Sequence, residues 1–575
     1  MMSALRPLFL FLATPISSSC GVMRIAPTLL AASLAASTLY SQPQAESFKL
    51  VASDAQAGDE FGRSVAVSAN RVVVGSWHDG DSGSNSGSVY VYDAQTGAET
   101  AKLIASDGEA FDTFGFSVDI DGDTLIAGAP FSVFGAAYVF VRSGSSWIEQ
   151  VKLRPGDAAV FDNFGYSVSI DGGTAIVGSF RDDDIFSGSG SAHVYVRNGG
   201  SWAHQAKLMA SNPEGGAWFG TSVSICGDTV VIGSPFADGL AGIDLGSAYI
   251  FVRNAGAWTQ QAELIPDSAL SGDFVGYSVS ISGETVVLGA LLANETGNDS
   301  GAAHVFVRNG TTWTEQAKLL PSDPSPEDHF GVSVAIEDDT ILVGSHWDNN
   351  NGSDSGSVYL FTRSGTTWQE EAKLLASDGT AADDFGFSVA LEANTAVVGA
   401  DLSDGTNFDC GSAYLFNLSS SGSPYCFGDG SGRPCPCGAN AGTGQGCTNT
   451  GGSGATLAAF GNPSLSNDSF QLHVAGLPGS NPGLILRGMD ETAAGLGNLA
   501  GDGLLCTTGQ IARSQVQLSL SGSMTFSDFQ GQPFGASSYG AGILTHYQLW
   551  YRDPANTCSG SGFNFSNAWA VTWLL

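Results

Sequence analysis

The chain has 575 residues, a formal charge of −35, 77 glycines and only 13% charged residues. This composition excludes a large helical protein, because helices are usually rich in alanine, lysine and glutamate. The negative charge excludes a nucleic-acid-binding surface, and the 43% hydrophobic content excludes a wholly disordered chain.

The first 45 residues predict an export signal. Met1 and Met23 each begin a short basic and then apolar segment, and the second apolar run extends from Leu29 to Leu39. Neither run reaches the roughly 18 residues that a membrane-spanning helix needs. We therefore expect a signal peptide over residues 1–45, with Met23 as an alternative start, no transmembrane segment, and a secreted or cell-surface protein.

Residues 46–418 contain seven copies of a unit of about 50 residues, each marked by Phe-Gly-x-Ser-Val or a close variant. After this motif each unit shows an apolar strand, a tight turn, a second strand that ends in glycine, a long loop, a third strand and, in six units, a fourth strand. Four antiparallel strands of this length form one blade of a β-propeller. The motif glycines are Gly62, Gly115, Gly165, Gly220, Gly276, Gly331 and Gly386.

The phase of the repeat predicts how the propeller closes. The pair Lys49-Leu50, which resembles the end of a fourth strand, precedes the first motif, whereas the seventh unit ends near Phe416 without a fourth strand. A ring in which the strand around Phe48 completes the seventh blade would remove both unpaired sheet edges. We therefore predict an all-β, seven-bladed propeller over residues 46–418; the alternative is an open β-solenoid, which needs capping repeats.

Residues 114–118 (FGFSV) and 127–130 (AGAP) resemble the FG-GAP repeat of integrin α-chain propellers. The resemblance covers about residues 46–418 and implies extracellular recognition, often with calcium. The calcium loop of those propellers, Asp-x-Asp/Asn-x-Asp-Gly-x-x-Asp, is replaced here by short turns such as residues 121–123. Such a turn cannot supply the six to eight oxygen ligands that calcium takes, so we interpret these acids as turn formers.

A different acidic surface is predicted where the long loops meet. The loop between the second and third strands and the loop that leads to the next blade lie on one face, here called the long-loop face. It holds 31 of the 56 acidic residues. Candidate oxygen ligands for Ca²⁺ form four groups: Asp79, Asp81 and Asn85; Asp182, Asp183 and Asp184; Asp348, Asn350 and Asp354; and Asp401, Asp404 and Asp409.

Two alternatives stay open for this acidity. An aspartate recurs three residues before six of the seven motif glycines, and another usually lies five residues earlier. Aspartates before a strand often form turns with their own backbone, so we interpret both recurring positions as turn formers. The acids of the four groups either bind cations or a cationic partner, or only keep the protein dispersed.

Composition changes at residues 419–424, which we interpret as a linker, and a cysteine-containing domain is expected over residues 425–575. Alternating apolar runs there, such as residues 470–474 and 545–551, predict a small β-sandwich. Segments 425–430 (YCFGDG) and 547–554 (YQLWYRDP) resemble a C-terminal module of secreted bacterial repeat proteins. An even number of cysteines in an exported chain predicts disulfides, with a zinc site as the alternative. These cysteines are Cys426, Cys435, Cys437, Cys447, Cys506 and Cys558.

The sequence contains no His-Glu-x-x-His pair and no nucleophile elbow, so we name no catalytic residue and do not expect an enzyme. We expect a secreted or cell-surface recognition or adhesion protein whose long-loop face binds an extracellular protein or glycan. Calcium is the one cofactor expected, and no nucleic-acid partner is expected. The alternatives are a lectin, which would need exposed aromatic residues at repeated loop positions, and a polysaccharide-active enzyme.

Overall fold

The computed structural model describes residues 46–238, 242–404 and 407–418, and beyond them only strand residues between 423 and 572. Every described element is a β-strand. The expected signal peptide and the six C-terminal cysteines lie outside the described residues.

Within the described residues, seven four-stranded antiparallel sheets are arranged as blades. Each sheet except the last uses four consecutive strands. The strands are β1 (Glu46–Leu50); β2 (Phe61–Ser68), β3 (Arg71–Ser76), β4 (Ser88–Asp93) and β5 (Glu99–Leu103) in blade 1; β6 (Ser117–Asp121), β7 (Thr124–Ala129), β8 (Ala136–Ser143) and β9 (Ser146–Leu153) in blade 2; β10 (Val168–Asp171), β11 (Thr174–Ser179), β12 (Ser191–Asn198) and β13 (Ser201–Leu208) in blade 3; β14 (Ser222–Cys226), β15 (Thr229–Ser234), β16 (Ser247–Asn254) and β17 (Ala257–Leu264) in blade 4; β18 (Val275–Ser282), β19 (Thr285–Ala290), β20 (Ala302–Asn309) and β21 (Thr312–Leu319) in blade 5; β22 (Val334–Glu337), β23 (Thr340–Ser345), β24 (Ser357–Ser364) and β25 (Thr367–Leu374) in blade 6; and β26 (Ser388–Glu392), β27 (Thr395–Ala400) and β28 (Ser412–Asn417) in blade 7.

The N-terminal strand closes the ring. Strand β1 pairs antiparallel with β28, and Lys49 lies opposite Tyr414 while Leu50 lies opposite Ala413. The predicted completion of blade 7 by the strand around Phe48 is therefore confirmed, and the open solenoid is excluded.

Neighbouring blades meet through pairs of glycines. Gly115 of blade 2 has a φ of +87°, and a Cβ atom on Gly75 of blade 1 would lie only 1.9 Å from its carbonyl oxygen. Ser64 donates a hydrogen bond to that same carbonyl at 2.9 Å. The same glycine contact and serine bond recur at all seven described interfaces, including the closing one, where Ser388 binds Gly62. Glycine and serine of the motif thus serve to bring blades together.

The core lies between consecutive blades. The motif phenylalanine is buried there, and the Phe114 ring meets the Tyr138 ring edge-on with centroids 5.4 Å apart. The cluster that holds Phe114 also contains Val73 and Val91 of blade 1 and Leu125 of blade 2. Each blade therefore buries its apolar faces only when both neighbours are present.

Beyond residue 418 the described residues are also β-rich. Strands β40 and β41 pair antiparallel, and β32 pairs with β40. The sandwich packing, the disulfides and the zinc alternative stay predictions. The strands are β29 (Ser423–Tyr425), β30 (Thr456–Phe460), β31 (Gln471–Ala475), β32 (Pro482–Gly488), β33 (Asp490–Glu491), β34 (Asn498–Ala500), β35 (Gly503–Leu505), β36 (Thr507–Thr508), β37 (Ala512–Arg513), β38 (Gln517–Leu518), β39 (Met524–Phe526), β40 (Leu544–Arg552) and β41 (Phe563–Thr572).

Truncating Leu50 tests the ring closure. Leu50 in β1 and Leu153 at the equivalent position of β9 are 1% and 3% exposed. If β1 is a full member of blade 7, Leu50→Ala should lower the free energy of unfolding by about 2–5 kcal/mol, as Leu153→Ala should. Urea unfolding of both variants measures this. An unchanged unfolding midpoint for Leu50→Ala, beside a lowered one for Leu153→Ala, would mean that β1 contributes little.

Candidate functional site

Two sets of loops build the long-loop face. The loops between the second and third strands of a blade are here called 2–3 loops, and those that lead to the next blade are called 4–1 loops. The 2–3 loops contain 11 or 12 residues in six blades but only six in blade 2, where β7 ends at Ala129 and β8 begins at Ala136.

The aspartate that precedes each motif glycine by three residues is a turn former, as predicted. The Asp59 carboxylate accepts a hydrogen bond from the Gln56 N–H at 2.6 Å, three residues back along the 4–1 loop. Six blades repeat this bond, which satisfies a backbone donor before the first strand begins. The residues are Asp59, Asp112, Asp162, Asp273, Asp328 and Asp383.

The second recurring aspartate has a charged partner that the sequence analysis missed. The Lys102 ammonium lies 2.7 Å from the Asp54 carboxylate, which also accepts a hydrogen bond from the Tyr90 hydroxyl at 2.8 Å. The lysine belongs to the Lys-Leu pair of the fourth strand. Five blades contain this ion pair: Asp54 with Lys102, Asp107 with Lys152, Asp157 with Lys207, Asp323 with Lys373, and Asp378 with Lys49.

A signal for this pairing is present in the sequence. In blade 4 the fourth strand has Glu263 in place of lysine, and the 4–1 loop has Asn212 in place of aspartate. The two positions change together in blade 4 but not in blade 5, where Ser268 replaces the aspartate while Lys318 is kept and pairs with Glu295 of the 2–3 loop.

Three carboxylates converge in blade 1. Asp54, Asp79 and Asp81 form the one group in the described part of the chain whose ligand atoms lie within 4.8 Å of one another, the spacing that a metal ion needs. The Lys102 ammonium lies 2.7, 2.9 and 2.6 Å from these three carboxylates. Burial raises the pKa of Asp54, but the hydrogen bonds from Lys102 and Tyr90 outweigh it and hold that pKa below its usual value. A protein cation thus already lies among the carboxylates.

Lysines also neutralise the second and third candidate groups. In blade 3 the Lys207 ammonium contacts Asp182 at 2.7 Å and also pairs with Asp184. In blade 6 the Lys373 ammonium contacts Asp348 at 2.6 Å, and the Asn350 N–H donates to the same carboxylate. These groups are built as ion pairs and turns, so their described geometry does not favour calcium.

Three other candidates have a backbone role. Asn85, Asp354 and Asp409 adopt left-handed conformations with φ of 56°, 56° and 49°. The backbone carbonyl of each accepts an N–H from the 4–1 loop of the next blade. They therefore join the loops of neighbouring blades.

Asp183 and Asp404 organise their own 2–3 loops. The Asp183 carboxylate accepts the Gly188 N–H at 2.5 Å, and the Asp404 carboxylate accepts the Asp409 N–H at 3.3 Å. Both bonds span five residues and hold the loop in a compact turn. For all the candidate ligands the calcium assignment stays a prediction.

Two carboxylates at blade 7, Asp401 and Asp384, lie in surroundings that disfavour their charged forms. Asp401 is buried, and its cationic partner is the Arg63 guanidinium at 3.4 Å. Burial raises the pKa of Asp401 to about 6. Burial together with the nearby charge of Asp401 raises the pKa of Asp384 to about 8. Both groups therefore resist ionisation at neutral pH more than a free aspartate does.

Aromatic rings surround the inner edge of the long-loop face. The Arg63 guanidinium lies 4.2 Å from the Phe387 ring centroid, 5.1 Å from Phe116 and 5.2 Å from Trp77. Two loop tryptophans belong to one series of successive ring contacts: Trp77, Phe116, Tyr166, Phe180, Trp218, Phe236 and Phe274. These rings pack on one another and on a cation of the chain itself.

The FG-GAP repeat matches seven segments, one after another along the propeller: residues 45–92, 98–140, 147–195, 202–251, 258–306, 313–361 and 368–416. The chain belongs to the FG-GAP repeat family. No curated protein matches its sequence. Among solved structures, it is similar to the crystal structure of Saccharomyces cerevisiae Sqt1, with 12% identity, 66% of this chain and 98% of that chain covered, and a TM-score of 0.36. No helix in the described residues is long and apolar enough to cross a membrane.

Replacing Lys102 tests whether its ammonium takes the place of a metal ion. Lys102→Met should lower the melting temperature, because Asp54, Asp79 and Asp81 lose their counter-ion. Calcium should then raise the melting temperature of Lys102→Met but leave that of the unsubstituted protein unchanged. Lys152→Met is the matched control, since Lys152 pairs with Asp107 alone in the described residues. An equal rise in the unsubstituted protein would instead support calcium binding at the native loops.

The raised pKa of Asp384 predicts a pH-dependent gain in stability for Asp384→Asn. A carboxyl whose pKa rises on folding destabilises the folded state as pH increases from its unfolded pKa, 3.8, to its folded pKa, about 8. The melting temperature of Asp384→Asn should therefore match that of the unsubstituted protein near pH 4 and exceed it increasingly up to pH about 8.5.

Asp107→Asn is the control of opposite sign. The hydrogen bond from Lys152 holds the pKa of Asp107 below its usual value, so this carboxylate stabilises the fold above its unfolded pKa and loses that effect as pH falls. Asp107→Asn should lower the melting temperature at pH 7, with a smaller decrease near pH 3. A lower melting temperature for Asp384→Asn at pH 8 would contradict the assignment.

Proposed function

We propose that this protein is a secreted or cell-surface recognition or adhesion protein and that its long-loop face binds an extracellular partner. One observation carries the proposal: of the 15 exposed large hydrophobic residues in the described chain, only Ile148 lies outside the long loops. The others are Ile104, Phe111, Phe131, Val133, Phe134, Val160, Phe161, Ile185, Phe186, Ile243, Ile265, Leu270, Trp347 and Phe408.

Exposed apolar groups concentrated on one face favour binding at that face, because leaving them in water is unfavourable. The FG-GAP propeller fold is consistent with recognition or adhesion. Its loops vary in sequence on a repeated scaffold, which is how many binding faces are built.

A protein partner is favoured over a glycan. Thirteen of these 14 loop residues are valine, isoleucine, leucine or phenylalanine, and they offer apolar contact without hydrogen-bonding groups. The tryptophans of the face, which would suit a sugar platform, mostly pack against neighbouring rings. Export itself rests on the N-terminal sequence pattern and agrees with a family typical of extracellular proteins.

Site-specific photo-crosslinking tests the proposal. A benzophenone side chain is placed at Phe186 or Phe408 in long loops, and at Asn198 beside a short turn of blade 3 as the matched control. Incubation with the surface of the producing cells, in calcium and in chelator, should give a defined crosslinked protein from the long-loop positions. Equal products from Asn198, or products from Asn198 alone, would contradict the assignment of the binding face.

A further inference from the structure

The long-loop face has a gap at blade 2. The six-residue 2–3 loop of this blade is about half as long as the others, and three of its residues are large, apolar and exposed. Phe131, Val133 and Phe134 are 48%, 61% and 36% exposed. The gap is therefore lined by apolar side chains.

Two phenylalanines beside this gap occupy an unfavourable backbone position. The residue three before the motif phenylalanine, or before Val275 in blade 5, has a positive φ in every blade. Blades 1, 4 and 5 have glycine there, which adopts this conformation without strain. Blades 6 and 7 have Glu327 and Ala382, each with φ of 67°, and blades 2 and 3 have the bulkier Phe111 and Phe161, with φ of 71° and 76°. A bulky residue with positive φ is strained.

Burial does not compensate this strain. Phe111 is 61% exposed and Phe161 is 77% exposed, so neither ring contributes much to the core. Glycine at either position would suit the backbone better and expose less apolar surface. Since stability explains neither residue, binding is the better explanation.

The two phenylalanines lie in the two 4–1 loops that flank blade 2 along the chain, and the Phe111 N–H donates to the Ser84 carbonyl of the blade-1 2–3 loop at 2.9 Å. Phe111 belongs to the 4–1 loop before blade 2, and Phe161 belongs to the 4–1 loop after it. The Asn163 side chain donates to the Pro130 carbonyl at 3.3 Å, and Arg154 donates to the Gly135 carbonyl at 3.3 Å. These bonds attach the second 4–1 loop to both ends of the short loop. The blade-2 recess is defined as Phe111, Phe131, Val133, Phe134, Val160 and Phe161.

The recess also differs in charge from the rest of the face. Its 2–3 loop contains no acidic residue, and Lys152 pairs with one carboxylate where Lys102 and Lys207 each pair with three. Arg154 and Arg181 are exposed and form no ion pair with the described residues. The Arg154 guanidinium lies 5.2 Å from the Phe134 ring centroid. A complementary partner is therefore apolar and carries negative charge.

We propose that the blade-2 recess binds a protein segment that presents one or two large apolar side chains beside an aspartate or glutamate. The apolar side chains would contact Phe111, Phe131 and Phe161, and the carboxylate would pair with Arg154. This inference rests on the proposed function and specifies the chemistry of the partner that the long-loop face would bind. A lipid surface is less favoured because a protein segment can place one carboxylate beside Arg154 alone, whereas an extended layer of phosphates would also meet the carboxylates of the neighbouring loops. The charge of −35 opposes a second copy of the chain.

Constrained 12-residue peptides displayed on phage provide the probe. They are selected on the full chain and counter-selected on the Phe111→Gly/Phe161→Gly double variant. Because glycine suits both backbone positions, the variant should keep or increase its melting temperature, which separates lost binding from lost folding.

Selected peptides should combine a large apolar residue with aspartate or glutamate. Fluorescence anisotropy should show an affinity loss of about tenfold or more in the double variant and in Arg154→Gln. Glu327→Gly, at the equivalent position of blade 6, is the control and should leave the affinity unchanged.

Several outcomes would overturn this inference: no enrichment over the counter-selection, enrichment of basic peptides, or affinities that the double variant leaves unchanged. Binding to phosphatidylglycerol vesicles that the double variant abolishes would also overturn it, in favour of a membrane-contacting recess. The experiments distinguish a failure of this proposal from a failure of the proposed function. Crosslinking from Phe186 or Phe408 that persists in the double variant would contradict binding at the blade-2 recess but agree with binding at the long-loop face. Absence of crosslinks from all long-loop positions would contradict binding at the long-loop face.

Discussion

The contact between two glycine backbones at each blade interface is the constraint on which this propeller depends. A Cβ atom added at Gly75 would lie only 1.9 Å from the Gly115 carbonyl oxygen. The two blades can therefore approach this closely only because residue 75 is glycine. The close approach lets the motif serine reach the same carbonyl and places the motif phenylalanine in the core between blades. It also fixes the residues on either side of the motif at the inner edge of the ring, where the aromatic contacts form.

The same regular geometry also explains many of the acidic residues on the long-loop face. One lysine per blade in most blades lies at the end of the fourth strand, at the height where the long loops begin, and holds one to three loop carboxylates. Many carboxylates of this face are therefore paired with lysines of the same chain and help to hold the long loops in place. The parts of the face that differ from the repeat, such as the short loop of blade 2, are not explained by this shared architecture and are the better candidates for binding.

The fold could be predicted from the sequence because it is encoded seven times. The repeated motif predicted the four-stranded blade, and the position of Lys49-Leu50 before the first motif predicted the strand that closes the ring. Turn-forming aspartates such as Asp59 were also predictable, since their partner lies three residues away. The ion pair of Asp54 with Lys102 was harder to predict, because its partners lie 48 residues apart and meet only in the folded blade, and the two positions change together in blade 4 alone. The strain at Phe161 depends on a backbone angle that residue type does not reveal. Gly58 and Gly216, at the equivalent position of blades 1 and 4, were a sequence indication of a positive φ there.

The pairing of β1 with β28 has a consequence for assembly. Residues 46–50 emerge from the ribosome before the rest of the propeller, and their partners around Tyr414 emerge more than 360 residues later. Six blades can thus form while the seventh sheet lacks its outer strand and the N-terminal strand lacks any partner. At high local concentration the N-terminal strand of one chain and the open sheet of another can pair, which gives strand-swapped oligomers. Ring closure within one chain, which dilution favours, pairs both edges and so opposes this exchange.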